Sequence, residues 1–341
     1  MTDLTVSYGG DPAIEGLTAT IPSGSFVSLL GPSGCGKSTT LLAIAGLVDL
    51  SGGEIRFDDE LVNAKKTEKR NVGMVFQQYS LYPHMTVYEN IGFPLSARKG
   101  TKAEKAKQIK SVAEMLRIEH LLERKPRQLS GGQQQRAAIA RALVKQPDVL
   151  LMDEPFSSID SQLRFELRDE LRRIQRESGI TTLFVTHDQE EALSLSDSIM
   201  VMSGGRLLQY GKPNNLYDCP QCVETAMLLG HPPINLLMAE EAFVVGVRPE
   251  DWMMTTRDEA LISGEVRSVQ LSGRDLLVKI NGPGESTINW VCAKDTDVIV
   301  GQTVQLGAIK EKRHPFDRKS GLRLESLPSW SGILAAFEGR R

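Results

Sequence analysis

An α/β domain built on a largely parallel sheet, followed by a smaller β-rich domain, is the fold class the sequence predicts. Three observations lead to it. Short apolar runs of β type alternate with longer helical patterns through the first two-thirds of the chain, as in strands linked by crossover helices. A glycine-rich turn stands directly between one such run and a helical pattern. Beyond His231, Pro232 and Pro233 the helical patterns give way to alternating segments broken by turn residues.

The candidate strands of the first domain are 26–30, 72–76, 149–152 and 182–185. Between the second and third lies a mostly helical stretch, about 86–145. Two capping-box patterns open it, Thr86 with Glu89 and Thr101 with Glu104. Its lysine-rich run, 102–110, reads as a solvated helix face. In the second domain, 264–269 and 276–280 alternate and are separated by Asn281, Gly282, Pro283 and Gly284, as in a small, barrel-like β domain. The boundary is expected between 234 and 235, giving domains 1–234 and 235–341. A chain of 341 residues exceeds what one core usually holds, roughly 250–300 residues, which agrees with two domains.

Charge and composition narrow the function. Forty Lys and Arg against 43 Asp and Glu give a net charge of −3, which provides no general polyanion-binding surface, so no nucleic-acid partner is expected. No apolar run approaches the roughly 20 residues of a membrane-spanning helix. Asp3, Asp11 and Glu15 interrupt the first 20 residues where a secretory leader would be basic and then apolar, so a cytosolic location is expected. The four cysteines, Cys35, Cys219, Cys222 and Cys292, are too few for a disulfide framework and are expected to be thiols. Cys219 and Cys222 have the spacing of a zinc or redox half-site, but no second pair exists, and an ordinary loop-to-helix passage is expected there.

The glycine-rich turn is Gly31-Pro32-Ser33-Gly34-Cys35-Gly36-Lys37-Ser38, between the strand 26–30 and the helical pattern 39–45. Glycines let backbone N–H groups approach anionic oxygens, and the following helix N-terminus adds free donors. Lys37 brings a mobile positive charge to the β and γ phosphates of a nucleotide, and Ser38 offers a hydroxyl to Mg²⁺. A second element, the apolar strand 149–152, ends in Asp153 and Glu154. Adjacent residues at a strand end point in different directions, so Asp153 can face the Mg²⁺ while Glu154 faces an attacking water.

Leu129-Ser130-Gly131-Gly132-Gln133 opens a further helical pattern and supplies another set of free N–H donors. With this segment, residues 1–234 come to resemble the ATPases of ABC transporters, a P-loop NTPase fold carrying a helical subdomain. The resemblance implies ATP and Mg²⁺ as ligands, bound by Gly31, Pro32, Ser33, Gly34, Cys35, Gly36, Lys37, Ser38 and Thr39. It also implies that Tyr8 stacks on adenine, that Gln77 senses Mg²⁺ and the water, and that His187 contacts the γ-phosphate. Catalysis would then rest on Glu154, His187, Gln77 and Lys37, with Ser38, Gln77 and, through water, Asp153 at the metal. In this family two subunits dock head to tail, so Ser130, Gly131, Gly132, Gln133 and Asp160 would act on the partner's nucleotide.

The second domain resembles the OB-like regulatory (TOBE) domain of importer ATPases of the maltose and glycerol-phosphate type. Val247-Arg248-Pro249-Glu250-Asp251, Gly264-Glu265-Val266 with Val269, and His314-Pro315-Phe316-Asp317 carry that resemblance. Residues 78–90 are similar to the surface that receives a permease in such importers, so permease subunits and, indirectly, a solute-binding protein are implied partners. The implied location is the cytoplasmic face of the membrane. Importers of polyamines, iron or oxyanions carry related tails, and a non-transport ATPase of this family is a more distant alternative. Two departures stand out: the chain starts close before Tyr8, without the beginning of the family's first strand, and only 236–242 separate Asn235 from the strand at Phe243, so the second domain is expected to be shortened.

Overall fold

The computed structural model describes residues 1–157, 159, 161–238, 242–282, 286–327 and 335–336. The chain divides into two compact units, Met1–Pro213 and Asn214–Arg341.

In the first unit, β1 (Thr2–Ser7) pairs antiparallel with β2 (Pro12–Leu17) on one edge and with β4 (Gly52–Glu54) on the other. The strand before Tyr8 is therefore present and paired on both sides. β3 (Phe26–Leu30) leads through the glycine-rich turn into α1 (Lys37–Ala45). A short hairpin, β5 (Arg56–Phe57) and β6 (Glu60–Leu61), precedes β7 (Val72–Val75). The helical stretch contains α2 (Val87–Gly92), α3 (Lys102–Met115) and α4 (Gly131–Leu143). β8 (Val149–Asp153), α5 (Ser161–Ser178), β9 (Thr181–Thr186), α6 (Gln189–Leu195), β10 (Ser198–Ser203) and β11 (Arg206–Gly211) complete the unit.

Six of these strands form one sheet in the order β11-β10-β3-β9-β8-β7, parallel except for β11 at one edge. A parallel sheet is covered on both faces, so its strands read as near-continuous apolar runs; every residue of β3 is buried. Successive side chains point to opposite faces. Leu150 joins the core shared with Ile91, Ile109 and Ala137 of α2, α3 and α4, while Leu151 joins the core shared with Leu41 and Ile44 of α1 and Leu4 and Ile14 of β1 and β2. Both capping boxes form as the sequence predicts: Thr86 and Thr101 accept from the backbone N–H of Glu89 and Glu104, whose carboxylates accept from the threonine N–H groups at 2.7 Å. These hydrogen bonds hold both glutamates below the usual carboxylate range.

The second unit opens with α7 (Pro213–Asp218) and α8 (Val223–Leu228). β12 (Asn235–Met238) and β13 (Phe243–Val247) form an antiparallel hairpin whose connecting residues 239–241 lie outside the described set. β14 (Met253–Met254), β15 (Ile262–Ser272), β16 (Asp275–Asn281), β17 (Thr287–Ala293) and β18 (Thr303–Gly307) form an antiparallel sheet in the order β14-β18-β15-β16-β17. β19 (Arg313–Asp317) pairs with β13. Pro283 and Gly284 of the expected turn are also outside the described residues.

The division before Asn214 differs from the expected boundary at 234/235, and Arg248 explains the difference. Arg248 is 1% exposed, and its guanidinium donates to the carbonyls of Tyr217 (2.9 Å), Ala226 (3.0 Å) and Leu229, while lying 4.0 Å over the Tyr217 ring. One buried cation thus satisfies the last carbonyls of α8 and fixes α7, so both helices pack with the β-rich unit.

Candidate functional site

Parallel strands put their carboxyl ends on one edge of the sheet, where ligands of open α/β folds bind. The register makes this concrete: Leu30 pairs with Thr186, Asp153 with Val185, and Val75 with Met152. The residues that follow these strands are the glycine-rich turn after β3, Glu154 after β8, His187 after β9 and, beyond Phe76, Gln77 after β7. Four sequence segments far apart in the chain therefore meet along one line.

At the glycine-rich turn, backbone geometry excludes side chains. A Cβ on Gly31 would lie 2.2 Å from the Met202 carbonyl oxygen, and one on Gly36 would lie 2.4 Å from that of Ala13. Gly36 also caps α1 with φ 99°, a left-handed conformation natural to glycine. The contact with Ala13 sets the start of β2 against the turn; Tyr8, in the loop before β2, is 63% exposed. Pro32, Ser33 and Gly34 are exposed, Cys35 and Gly36 are buried, and Thr39 is half-buried in the first turn of α1.

Lys37 Nζ donates to the carbonyls of Gly31 (2.8 Å) and Pro32 (2.9 Å), which holds the ammonium over its own loop. The same ammonium lies 3.9 Å from Cys35 Sγ. Burial pushes the Cys35 thiol up, against the opposing pull of Lys37. Ser38 Oγ donates to Asp153 Oδ1 at 2.9 Å. Burial raises the Asp153 carboxyl above its ordinary value, reinforced by the charge of Glu154 and opposed by Ser38 and Lys37. A hydroxyl and a carboxylate at hydrogen-bond distance form a hard-oxygen donor pair of the kind Mg²⁺ takes together with waters and phosphate oxygens, so these residues fit that ion.

Glu154 has φ 43°, a left-handed conformation that costs a non-glycine residue about 1–3 kcal/mol. Its N–H is held by the Val185 carbonyl at 3.0 Å, and its own carbonyl accepts from Ser157 Oγ at 2.9 Å. This turn brings Glu154 Oε2 to 3.2 Å from His187 Nδ1. His187 is otherwise open to solvent at 57%. A carboxylate and an imidazole beside a glycine-rich loop of this kind can orient a water and contact a phosphoryl oxygen if a phosphate is held there.

Gln77 is exposed, directly after Phe76. Ser130 caps α4, accepting from the Gln133 N–H at 3.4 Å while Gln133 Oε1 accepts from the Ser130 N–H at 3.1 Å. Ser130 and Gly131 are exposed, Gly132 is buried, and a Cβ on Gly131 would meet nothing within 4 Å. Open space there leaves the glycine available for approach by another molecule. Asp160 lies outside the described residues. Cys219 and Cys222 belong to the second unit, and no group of three or more His, Cys, Asp or Glu suited to a metal occurs among the described residues. Cys222 is buried with Sγ 3.3 Å from Thr225 Oγ1, at the start of α8.

The sequence reading missed the residues that hold these loops. Arg141 donates to the carbonyls of Tyr79 (2.9 Å) and Ser80 (2.6 Å), and Asn90 Nδ2 donates to those of Tyr82, Met85 and Thr86. Arg164 and Arg168 of α5 reach Asp188, next to His187. Their four-residue spacing is visible in the sequence; the acid they serve is not.

Comparison with known proteins agrees with this geometry. The family profile described as ABC transporter matches residues 14–157, and the one described as TOBE domain matches 245–316. The sn-glycerol-3-phosphate import ATP-binding protein UgpC 3 of Rhizobium etli is 37% identical, over 95% of this chain and 99% of its own length. The trehalose/maltose import ATP-binding protein MalK of Thermococcus litoralis is 38% identical, over 94% of this chain and 98% of its own. Among solved structures, a dimeric ATP-binding cassette in a post-hydrolysis state with ADP and phosphate bound aligns with a TM-score of 0.55 at 33% identity, covering 62% of this chain and 97% of that one. Clostridium perfringens cbiO1, part of the cbiONQ ABC transporter complex, aligns with a TM-score of 0.59 at 31% identity, covering 63% and 88%. With its glycine-rich turn, paired carboxylates and histidine on one sheet edge, and relatives matched over nearly their whole length, the chain belongs to the ATP-binding subunits of ABC transporters that carry a C-terminal TOBE domain.

Proposed function

We propose that this chain is the ATP-hydrolysing subunit of an importer for a carbohydrate, polyol or glycerol-phosphate type solute, acting as a homodimer beneath permease subunits at the cytoplasmic face of the membrane. The observation that carries the ATPase reading is the alignment of the glycine-rich turn, Asp153-Glu154 and His187 on one sheet edge. The backbone N–H groups of the turn 31–39, all but Pro32 carrying one, and Lys37 bind the phosphates, Tyr8 stacks on the adenine, and Ser38, Gln77 and, through water, Asp153 would hold Mg²⁺. When bound, the ion would supply charge neutralisation at the phosphate oxygens. Glu154 orients a water and takes its proton as the water attacks the γ-phosphorus in line, and ADP leaves with the β-phosphate oxygen. His187 donates to a γ-phosphate oxygen. Ser130, Gly131, Gly132 and Gln133, at the exposed N-terminus of α4, with Asp160, complete the site of the partner subunit.

The solute class rests on the relatives, which are named for import of glycerol 3-phosphate, trehalose and maltose. For the permease contact, support comes from the segment 78–90. Its backbone is fixed by Asn90 and Arg141, and Tyr82 packs on Phe93 at 4.6 Å between ring centroids. A shallow cleft beside it is lined by Phe76, Tyr82, Phe93 and Pro94, and Phe93 and Tyr88 are exposed. Among the described residues no helix is long and apolar enough to cross a membrane, which fits a subunit held there through others. The test is reconstitution with the membrane subunits that co-purify with it. Stimulation of ATP hydrolysis by a sugar or glycerol phosphate with its binding protein is expected; stimulation only by a polyamine, iron or oxyanion would reassign the solute.

A further inference from the structure

Among the described residues His187 has one side-chain partner, Glu154 at 3.2 Å, and it is more than half exposed, so its position depends on the backbone of residues 186–188. That backbone is held by a compact set of bonds. Thr186 Oγ1 accepts from the Asp188 N–H at 2.9 Å and donates to Glu191 Oε2 at 2.6 Å. Asp188 Oδ1 accepts from the N–H groups of Glu190 (2.8 Å) and Glu191 (3.3 Å), capping α6. Its other oxygen, Oδ2, lies 3.4 Å from both Arg164 Nη1 and Arg168 Nη2 of α5.

Arg164 has a second arm. Its Nη2 donates to the Ile159 carbonyl at 3.0 Å, in the turn that follows Glu154. That turn is tied back to Glu154 by Ser157, whose Oγ donates to the Glu154 carbonyl. One rigid, planar guanidinium therefore joins the turn of the base to the loop of the histidine, a task for which two divergent donors in one plane are needed. Arg164 and Arg168 face the carboxylates of Asp188 and Glu191, with Arg168 also 3.7 Å from the exposed Glu190. The Nε atoms of both arginines are buried and find no acceptor among the described residues. The net stability such pairs supply is small because desolvation offsets much of the attraction, although deleting one partner leaves the other charge uncompensated and lowers Tm by itself.

We propose that Arg164, seconded by Arg168, is a positioning residue for hydrolysis: it locks the His187 loop to the Glu154 turn, so that base and histidine face the γ-phosphate in fixed relation. The proposal rests on the ATPase reading above. A loss of alignment on the order of 1 Å at a reacting centre lowers rates by up to about a hundredfold while leaving ground-state binding intact.

The test uses the purified full chain with Mg²⁺ and ATP, measuring kcat, nucleotide affinity with a fluorescent ATP analogue, and Tm. Arg164→Ala is expected to lower kcat by about tenfold or more with affinity within about twofold of the unsubstituted chain. Arg164→Lys, which can reach one acceptor but not both, is expected to recover only part of the rate. Asp188→Asn keeps the α6 cap but loses the charge, and in that background Arg164→Ala should lower kcat by much less than it does alone, since both act through one link. Equal kcat in Arg164→Ala and the unsubstituted chain overturns the proposal. So does a parallel loss of Tm, affinity and rate, which is the mark of a purely structural ion pair. Absence of ATP hydrolysis by the unsubstituted chain overturns the ATPase reading itself, and this inference with it.

Discussion

Asp153 and Glu154 are neighbours in sequence with different surroundings. Asp153 ends β8, hydrogen-bonded to Ser38, and burial holds its carboxyl above the ordinary range; Glu154 has turned through a left-handed conformation toward His187. A carboxyl whose folded pKa lies above its unfolded value favours the protonated form in the fold, so its ionisation lowers stability as pH rises through the folded pKa. Asparagine keeps the hydrogen bond to Ser38 without the charge. Asp153→Asn is therefore expected to raise Tm at pH 7, with the difference shrinking as the pH falls toward 4, and to bring Mg²⁺-dependent hydrolysis to background. Calorimetry across that range checks this, and a Tm below that of the unsubstituted chain at pH 7 would mean the carboxylate is stabilising as it stands. Added Mg²⁺ with ATP should stabilise the unsubstituted chain more than the variant, because binding to the native state alone raises stability by mass action.

At the scale of elements, what was legible in the sequence was local. The run 26–30 became β3 residue for residue, 182–185 lies inside β9, and the boxes at Thr86 and Thr101 cap α2 and α3, because apolar runs and caps involve residues a few positions apart. The antiparallel β1, β2 and β4 were missed: β4 has no buried residue, the buried residues of β2 do not alternate, and β1 finds β4 about fifty residues away with an irregular register. The glycine-rich turn and the carboxylate pair were legible as a turn and a strand end that meet on one sheet edge, because each is a contiguous run of particular residues; Arg164 and Arg168 were not, since arginines at helical spacing also describe a solvated face. Arg248 hid the unit boundary in the same way, capping α8 from about twenty residues downstream. A chain ending at Lys212, before α7, is accordingly expected to fold and hydrolyse ATP at a rate per protomer within a few-fold of the full chain. A chain ending near Pro233 retains α7 and α8 without Arg248 and should show greater exposure of apolar surface, measured by dye binding. If only the longer truncation is folded and active, the two helices belong with the ATPase unit.

For the whole molecule, the proposed function leaves one protomer an incomplete enzyme. Lys37, Ser38, Asp153, Glu154 and His187 gather on a single sheet edge, whereas the exposed N-terminus of α4, with Ser130 and Gly131, is assigned to the partner's nucleotide. Glu154→Gln tests both halves at once, since it removes the base while keeping shape and most hydrogen bonding. The measurement is gel filtration of this variant with Mg²⁺ and ATP, alongside its steady-state hydrolysis and the nucleotide content of each peak. No turnover, undiminished ATP binding and a dimer that forms with ATP but not with ADP, carrying two nucleotides, are expected. Turnover close to that of the unsubstituted chain, or a monomer saturated with ATP, would contradict the proposed function.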